Sequence, residues 1–342
     1  MLSPVIKIWP ELAAIVAAFL VGAIILVVTG HQIGETFAYL FRGAFGSRLA
    51  IGFTLTRTVP LIFTGLAFSI AFKCGLFNIG AEGQLQVGAF AAAWVGFALP
   101  PLPPLIHISL ALLAAAIAGG LWVLVPALLK AKRGVHEVVT TMMLAHVGIL
   151  LTRYLVFGPF KAPGWIPHTP RIAASAELAR IMPPTQLSTG IFIALACALI
   201  LYWFLWKTSI GYGIRAAGLN PHAAETGGVS VTRSIVVALV ISGALAGLGG
   251  AGEILGVFRR FVEGFSPGWG WDGIAVGLLG RLHPVGVILS AFLFGALRTG
   301  GMAVARATPV PLDIVVVLQA MVILFIAAPK LMKILKRRGE KE

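Results

Sequence analysis

Apolar runs of 18 or more residues, separated by short polar turns, recur from one end of this chain to the other. Each is long enough to cross a hydrocarbon layer about 30 Å thick. A backbone inside lipid must satisfy its own polar groups, which leaves only helices and closed barrels. Barrel strands would alternate with period two, whereas these runs are continuous, so the chain reads as all-α: a polytopic membrane helical bundle. Composition agrees, with 58% hydrophobic and only 11% charged residues, against roughly a quarter charged in soluble domains. Residues 1–342 read as a single transmembrane domain. The run beginning at Leu12 is too long for a cleavable signal and is expected to be retained as a span.

The spans fall at 12–29, 49–72, a third that 89–99 completes after the polar break 73–88, 107–129, 135–157, 187–206 and 234–257, with shorter apolar runs at 284–297 and 313–328 and a segment at 271–280 too short to cross untilted. Counting that segment as a broken or re-entrant helix gives about ten crossings. The net charge is +14, but the cations gather at the ends of apolar runs and not along one face, which argues for membrane orientation and against a nucleic-acid polymer as partner. The densest cationic blocks, 130–133, 207–233 and 330–338, then lie in the cytoplasm with both termini and the tail 329–342. Residues 158–186 form an extracytoplasmic loop, and its cations, like Arg42 and Arg48, run against the rule. Residues 31–48 interleave aromatics with these arginines as an interfacial helix would. Pro60 inside a span frees a carbonyl, for which Thr54, Thr56 and Thr58 are candidate donors.

Few residues carry chemistry. There is no GxxxxGK[ST] phosphate loop, no metal-ligand spacing among the seven histidines, and no arguable nucleophilic triad, so neither catalysis nor a bound cofactor is expected. His146 reads as a packed core histidine, and Cys74 and Cys197 as small hydrophobes. The informative side chains are polar ones at membrane depth, because charge there is costly and faces a cavity or partner. Asn78, Glu82, Gln84 and Gln86 crowd one break, and Asp272 sits in another. They line a solute path with Phe77, Trp269 and Trp271 on one reading. They are helix caps and interhelical ties on the other. Gly-x-acid-Gly occurs at both breaks, residues 80–83 and 270–273, as a relic of two related halves or by coincidence. Asp313 reads as an N-terminal helix charge.

The polar stretch 207–233 is oversized for a connector. Within it Asn220-Pro221 reads as an N-cap followed by Pro at the first helical position, and Gly227-Gly228 as the stop. The run SGALAGLGGAG (242–252) is dense in small residues and reads as a helix packed on other helices.

Four motifs in order, GLFNIGAEGQ (75–84), GLNPHAAETGGV (218–229), SGALAGLGGAGEILG (242–256) and WDGIAVGLLGRLHPVGV (271–287), carry a resemblance over residues 43–328. The chain resembles permease subunits of the bacterial ABC import family that handles branched-chain amino acids, simple sugars and nucleosides, most closely the nucleoside and simple-sugar branch. That resemblance implies a multi-pass permease of the cytoplasmic membrane working by alternating access. Its partners would be a second permease, identical or not, cytoplasmic ATPase subunits that use the ATP, and an extracytoplasmic solute-binding lipoprotein. It also implies that Gly218, Asn220, Pro221, Ala223, Ala224 and Gly228 build a coupling helix that docks on the ATPase, with His222 where related motifs carry Glu. An ion-coupled transporter acting alone, a branched-chain amino acid permease and a membrane scaffold remain as alternatives.

Overall fold

A computed structural model describes residues 9–310, together with residues 314, 316, 317, 320, 321 and 324. Asp313 and the cationic tail 329–342 lie outside the described residues, and the last expected span, 313–328, is described only at those few positions. Among the described residues the regular structure is helical, with two isolated β-bridges, His168 to Val262 and Arg180 to Ser188.

The helices are α1 Trp9–Val28, α2 Ile33–Phe45, α3 Arg48–Lys73, α4 Ala81–Ala98, α5 Pro104–Trp122, α6 Leu124–Arg133, α7 Glu137–Phe157, α8 Gly190–Lys207, α9 Ser209–Leu219, α10 Pro221–Thr226, α11 Val231–Glu253, α12 Trp269–Leu279 and α13 Pro284–Ala307. Six segments among the described residues are long and apolar enough to cross a membrane: α3, α5 continued by α6, α7, α8, α11 continued by a π turn at Ile254–Phe258, and α13. The chain is therefore a multi-pass membrane protein. Helix α4 is too polar to join them, with Glu82, Gln84 and Gln86 in its first six residues. Helix α12, at 11 residues, is only about 16 Å long.

Two compact units can be described. The first comprises the described residues up to 54 and from 293 on. In it Leu26 and Leu40 pack with Leu297, Val304 and Val310, and Phe19 stacks on Phe41 with ring centroids 6.1 Å apart. The Thr54 hydroxyl donates to Ala44 O at 2.9 Å, across the α2–α3 turn.

The second unit, residues 55–292, is centred on α4, α5 and α11. Apolar surface gains nothing by leaving lipid for another helix, so association rests on close backbone approach. The small residues of α11 supply it. A Cβ placed on Gly247 would overlap Ala115 O, one on Gly243 would overlap Gly119 O, and one on Gly250 would overlap Leu85 O.

The expected loop 158–186 carries one short 3-10 turn, Ala174–Ala176, and is tied down as a strap. Thr169 N, Ile172 N and Leu178 N donate to Phe261 O, Arg259 O and Leu255 O at 2.9–3.0 Å, and Ala173 N donates to Gly96 O at 2.8 Å. Glu177 pairs with Arg171 at 2.9 Å and Arg259 at 3.0 Å. The strap thus fastens the C-terminal ends of α4 and α11, while α9 and α10 lie at the other end of α11.

Candidate functional site

The break before α4 is closed by a polar clasp. Asn78 is fully buried and uses its whole hydrogen-bonding capacity. Its Nδ2 donates to Gln84 Oε1 at 3.0 Å and Ser242 Oγ at 2.9 Å, and its Oδ1 accepts from Gly80 N at 2.9 Å and Gln84 Nε2 at 3.1 Å. Ser242 passes the chain on, donating to Ala67 O at 2.6 Å. One asparagine thereby joins α3, α4 and α11. From the other side, the first turn of α7 holds the same segment. Thr141 Oγ1 accepts from Ile79 N at 3.2 Å, and Glu137, in an ion pair with Lys130 at 2.7 Å, accepts from Phe77 N at 3.4 Å.

Glu82 ties this break to the second one. Its Oε2 accepts from Gly270 N at 2.7 Å and its Oε1 from Gln86 Nε2 at 3.3 Å. A Cβ on Gly270 would overlap the Glu82 backbone, so the N-terminus of α12 abuts the N-terminus of α4. The chain reaches α4 from the α9 end and α12 from the strap end, where Glu263 N donates to Pro167 O at 3.1 Å. Two helix N-termini, each partially positive, meet inside the protein, and Glu82 supplies the negative charge between them. The two Gly-x-acid-Gly segments noted in the sequence are therefore neighbours in space.

The expected path residues fall into two groups. Asn78, Glu82 and Gln84 are buried and committed to protein partners, and Trp269 is buried as well. Phe77 is half-buried and packs edge-on against Phe68 and Phe72, at 5.1 and 5.9 Å between centroids. Asp272 and Trp271, in the first turn of α12, are half-buried. His146 overturns its expectation: it is exposed, with its ring 6.3 Å from that of Trp271. Helix α7 is apolar on every side, so periodicity gave no warning of which face is covered. Ser242 was hidden for a different reason, lying in a run that signals close packing. Among the described residues no three His, Cys, Asp or Glu side chains come together as a metal site.

The stretch 207–233 is not a loop around one short helix, since α9 occupies its first half. Helix α10 has the caps expected of it. Asn220 Oδ1 accepts from Ala223 N at 3.1 Å, Pro221 stands at N1, and Gly228, at φ +80°, closes the other end where Val229 N donates to Ala224 O at 2.9 Å. Ala223 is exposed on it but Ala224 is buried against its own chain. Gly218 packs on the turn after α3, where a Cβ would overlap Lys73 O. That places the base of α10 three to five residues from the Asn78 clasp.

Cys74 lies in this turn under α9, and burial pushes its thiol up to about 12. The thiolate, the reactive form, is then about one part in 10⁴ at pH 8. In a Cys197→Ser background, maleimide labelling of Cys74 is expected to be at least ~100-fold slower in the folded protein than after denaturation in SDS. Equal rates would place Cys74 in solvent.

The family described as branched-chain amino acid transport system / permease component matches residues 50–327. The guanosine ABC transporter permease protein NupP of Bacillus subtilis is 41% identical over 93% of this chain and 92% of its own length. The nucleoside ABC transporter permease protein NupB of Lactococcus lactis subsp. cremoris is 34% identical, covering 98% of each chain. The glucose ABC transporter permease protein TsgB13 of Haloferax volcanii is 36% identical over 93% of this chain and 87% of its own. No solved structure matches the chain.

Proposed function

This chain belongs to the branched-chain amino acid transport system / permease component family, and from that premise we propose that it is the membrane-spanning subunit of an ATP-driven importer of a nucleoside or simple sugar. Two curated relatives are named for guanosine or nucleoside transport and one for glucose. The geometric observation that carries the reading is the meeting of α4 and α12 around Glu82. Two interrupted helices converging from opposite ends form the kind of element that can open alternately to either side.

In this reading about ten crossings, both termini in the cytoplasm, place the α9–α10 segment inside and the 158–186 strap outside. The substrate path runs beside the clasp, past exposed His146 and half-buried Trp271 and Asp272, where two aromatic rings can stack on a base or ribose. Asn78, Glu82 and Gln84 shape that path from behind, with Phe77 and Trp269 packed beside them. The ion-coupled alternative loses ground, because Glu82 is held by two N–H donors in place of a titratable partner.

Helix α10 is the coupling element, docking on a cytoplasmic ATPase through its outward residues Pro221, His222 and Ala223. A second permease and an extracytoplasmic binding lipoprotein complete the assembly. Because Ala224 faces inward, the test of docking is Ala223→Trp. It is expected to leave the permease folded and inserted while lowering substrate-stimulated ATP hydrolysis at least ~10-fold. Full stimulation would remove α10 from the interface.

The cargo assignment is tested by uptake of radiolabelled guanosine, ribose and glucose into cells expressing the chain together with an ATPase, a second permease and a binding protein of the same importer family. ATP-dependent accumulation of one of these is expected. Uptake sustained in liposomes by the chain alone would overturn the reading.

A further inference from the structure

Three basic side chains surround one indole at the end of α8. Lys73 Nζ lies 5.7 Å from the Trp206 ring centroid, the Arg215 guanidinium 5.8 Å, and the His283 ring 5.1 Å. Among the described residues no carboxylate forms an ion pair with Lys73 or Arg215. Among the described residues Arg215 hydrogen-bonds through Nε alone, donating to Leu205 O at 2.9 Å, which leaves both terminal nitrogens for another acceptor. His283 is held neutral more readily than usual, by burial and then by the charge on Lys73. Like charges are brought together here without an ion-pair partner among the described residues.

Beside them runs an apolar cavity of about 240 Å³ between two membrane helices. Ala198, Leu199 and Tyr202 of α8 line one wall, Pro284, Val285 and Ile288 of α13 the other, and His283 belongs to both cavity and cationic cluster. Leu199 and Val285 are exposed, so the groove opens to the surface. Tyr202 stacks on Trp206 at 5.2 Å and touches His283 at 5.5 Å, forming the kind of amphipathic aromatic border found at the level of lipid headgroups.

We propose that this is a binding site for an anionic glycerophospholipid, its phosphate between Lys73 and Arg215 and one acyl chain in the α8–α13 groove. Cation pair and groove together select an amphiphile. A soluble phosphate would leave the groove unused, and an acidic protein surface would meet apolar side chains facing lipid. The inference requires only that the chain sits in a bilayer, so it stands or falls independently of the cargo and of the ATPase.

Native mass spectrometry of the purified full-length permease, offered equal amounts of phosphatidylglycerol and phosphatidylcholine with the same chains, tests it. The wild type is expected to retain the phosphatidylglycerol at least tenfold over the phosphatidylcholine. Lys73→Gln with Arg215→Gln should lower phosphatidylglycerol retention roughly 30-fold and abolish the preference. Val285→Trp, at an exposed groove position, should reduce retention of both lipids while leaving the cations in place, and it decides the question if the double variant does not fold. No preference in the wild type, an unchanged preference in the folded double variant, or unchanged retention of both lipids in folded Val285→Trp overturns the proposal. So does displacement of the lipid by millimolar inorganic phosphate, which marks a soluble-anion site, or by the partner ATPase, which marks a protein interface.

Discussion

Gly247→Val is expected to yield no folded permease, whereas Gly120→Ala, on a helix in the same cluster, should be recovered at close to wild-type levels. At Gly247 three backbones cross. A Cβ there would overlap Ala115 O of α5, and one on Gly88 of α4 would overlap the Gly247 Cα itself. Neither neighbour is a flexible side-chain end that can swing aside, so α11 must separate from α5 and α4. In lipid that separation is not opposed by a hydrophobic penalty, and the close contacts it forfeits are the ones that hold the bundle. A loss of about 4 kcal/mol, near the top of the single-substitution range, is expected. The Cβ at Gly120 meets Val240 O at 3.3 Å and a Val240 methyl at 3.4 Å, which a small shift absorbs. Fluorescence-detected size exclusion of tagged variants reads the difference directly. A monodisperse Gly247→Val protein with unchanged thermal stability would mean that α5 and α11 do not cross where these residues put them.

Much of this architecture is legible in the chain because membrane burial writes simple signals. The small-residue run 242–252 could only serve a helix packed on other helices, and it does. Asn220-Pro221 and Gly227-Gly228 mark both ends of α10 because caps are local, set by side chains within three residues of the backbone groups they satisfy. What was not legible depends on contacts across the fold. SIGYGIRAAGL, which forms α9, carries three glycines in eleven residues, and its helix is stabilised by packing on the turn after α3 and not by propensity. Ala224 is buried while Ala223 is exposed, so the sequence marked the right helix but could not say which alanine faces out. Asn78 and Glu82 were readable as buried polar groups, yet whether they serve solute or protein turns on Ser242 and Gly270, 164 and 188 positions away.

Glu82 is where structure and transport meet, and two substitutions separate its contributions. Glu82→Ala removes the acceptor of the Gly270 and Gln86 donors, both buried. Each unsatisfied buried donor costs about 1–3 kcal/mol, and the facing N-termini lose the negative charge between them. A destabilisation of roughly 2–4 kcal/mol is therefore expected, together with uptake below about a tenth of wild type. Glu82→Gln keeps an oxygen for Gly270 N; it loses the charge and, until Gln86 turns its amide over, the acceptor of the long Gln86 Nε2 bond. It should fold, with stability reduced by about 1 kcal/mol, so any transport defect it retains beyond its loss of protein reports on the charge and not on the tie. Thermal unfolding in detergent and uptake normalised to folded protein give the two axes. Alanine as stable as wild type would break the link between α4 and α12, and glutamine as inactive as alanine while fully folded would move Glu82 from the frame of the path into the path itself.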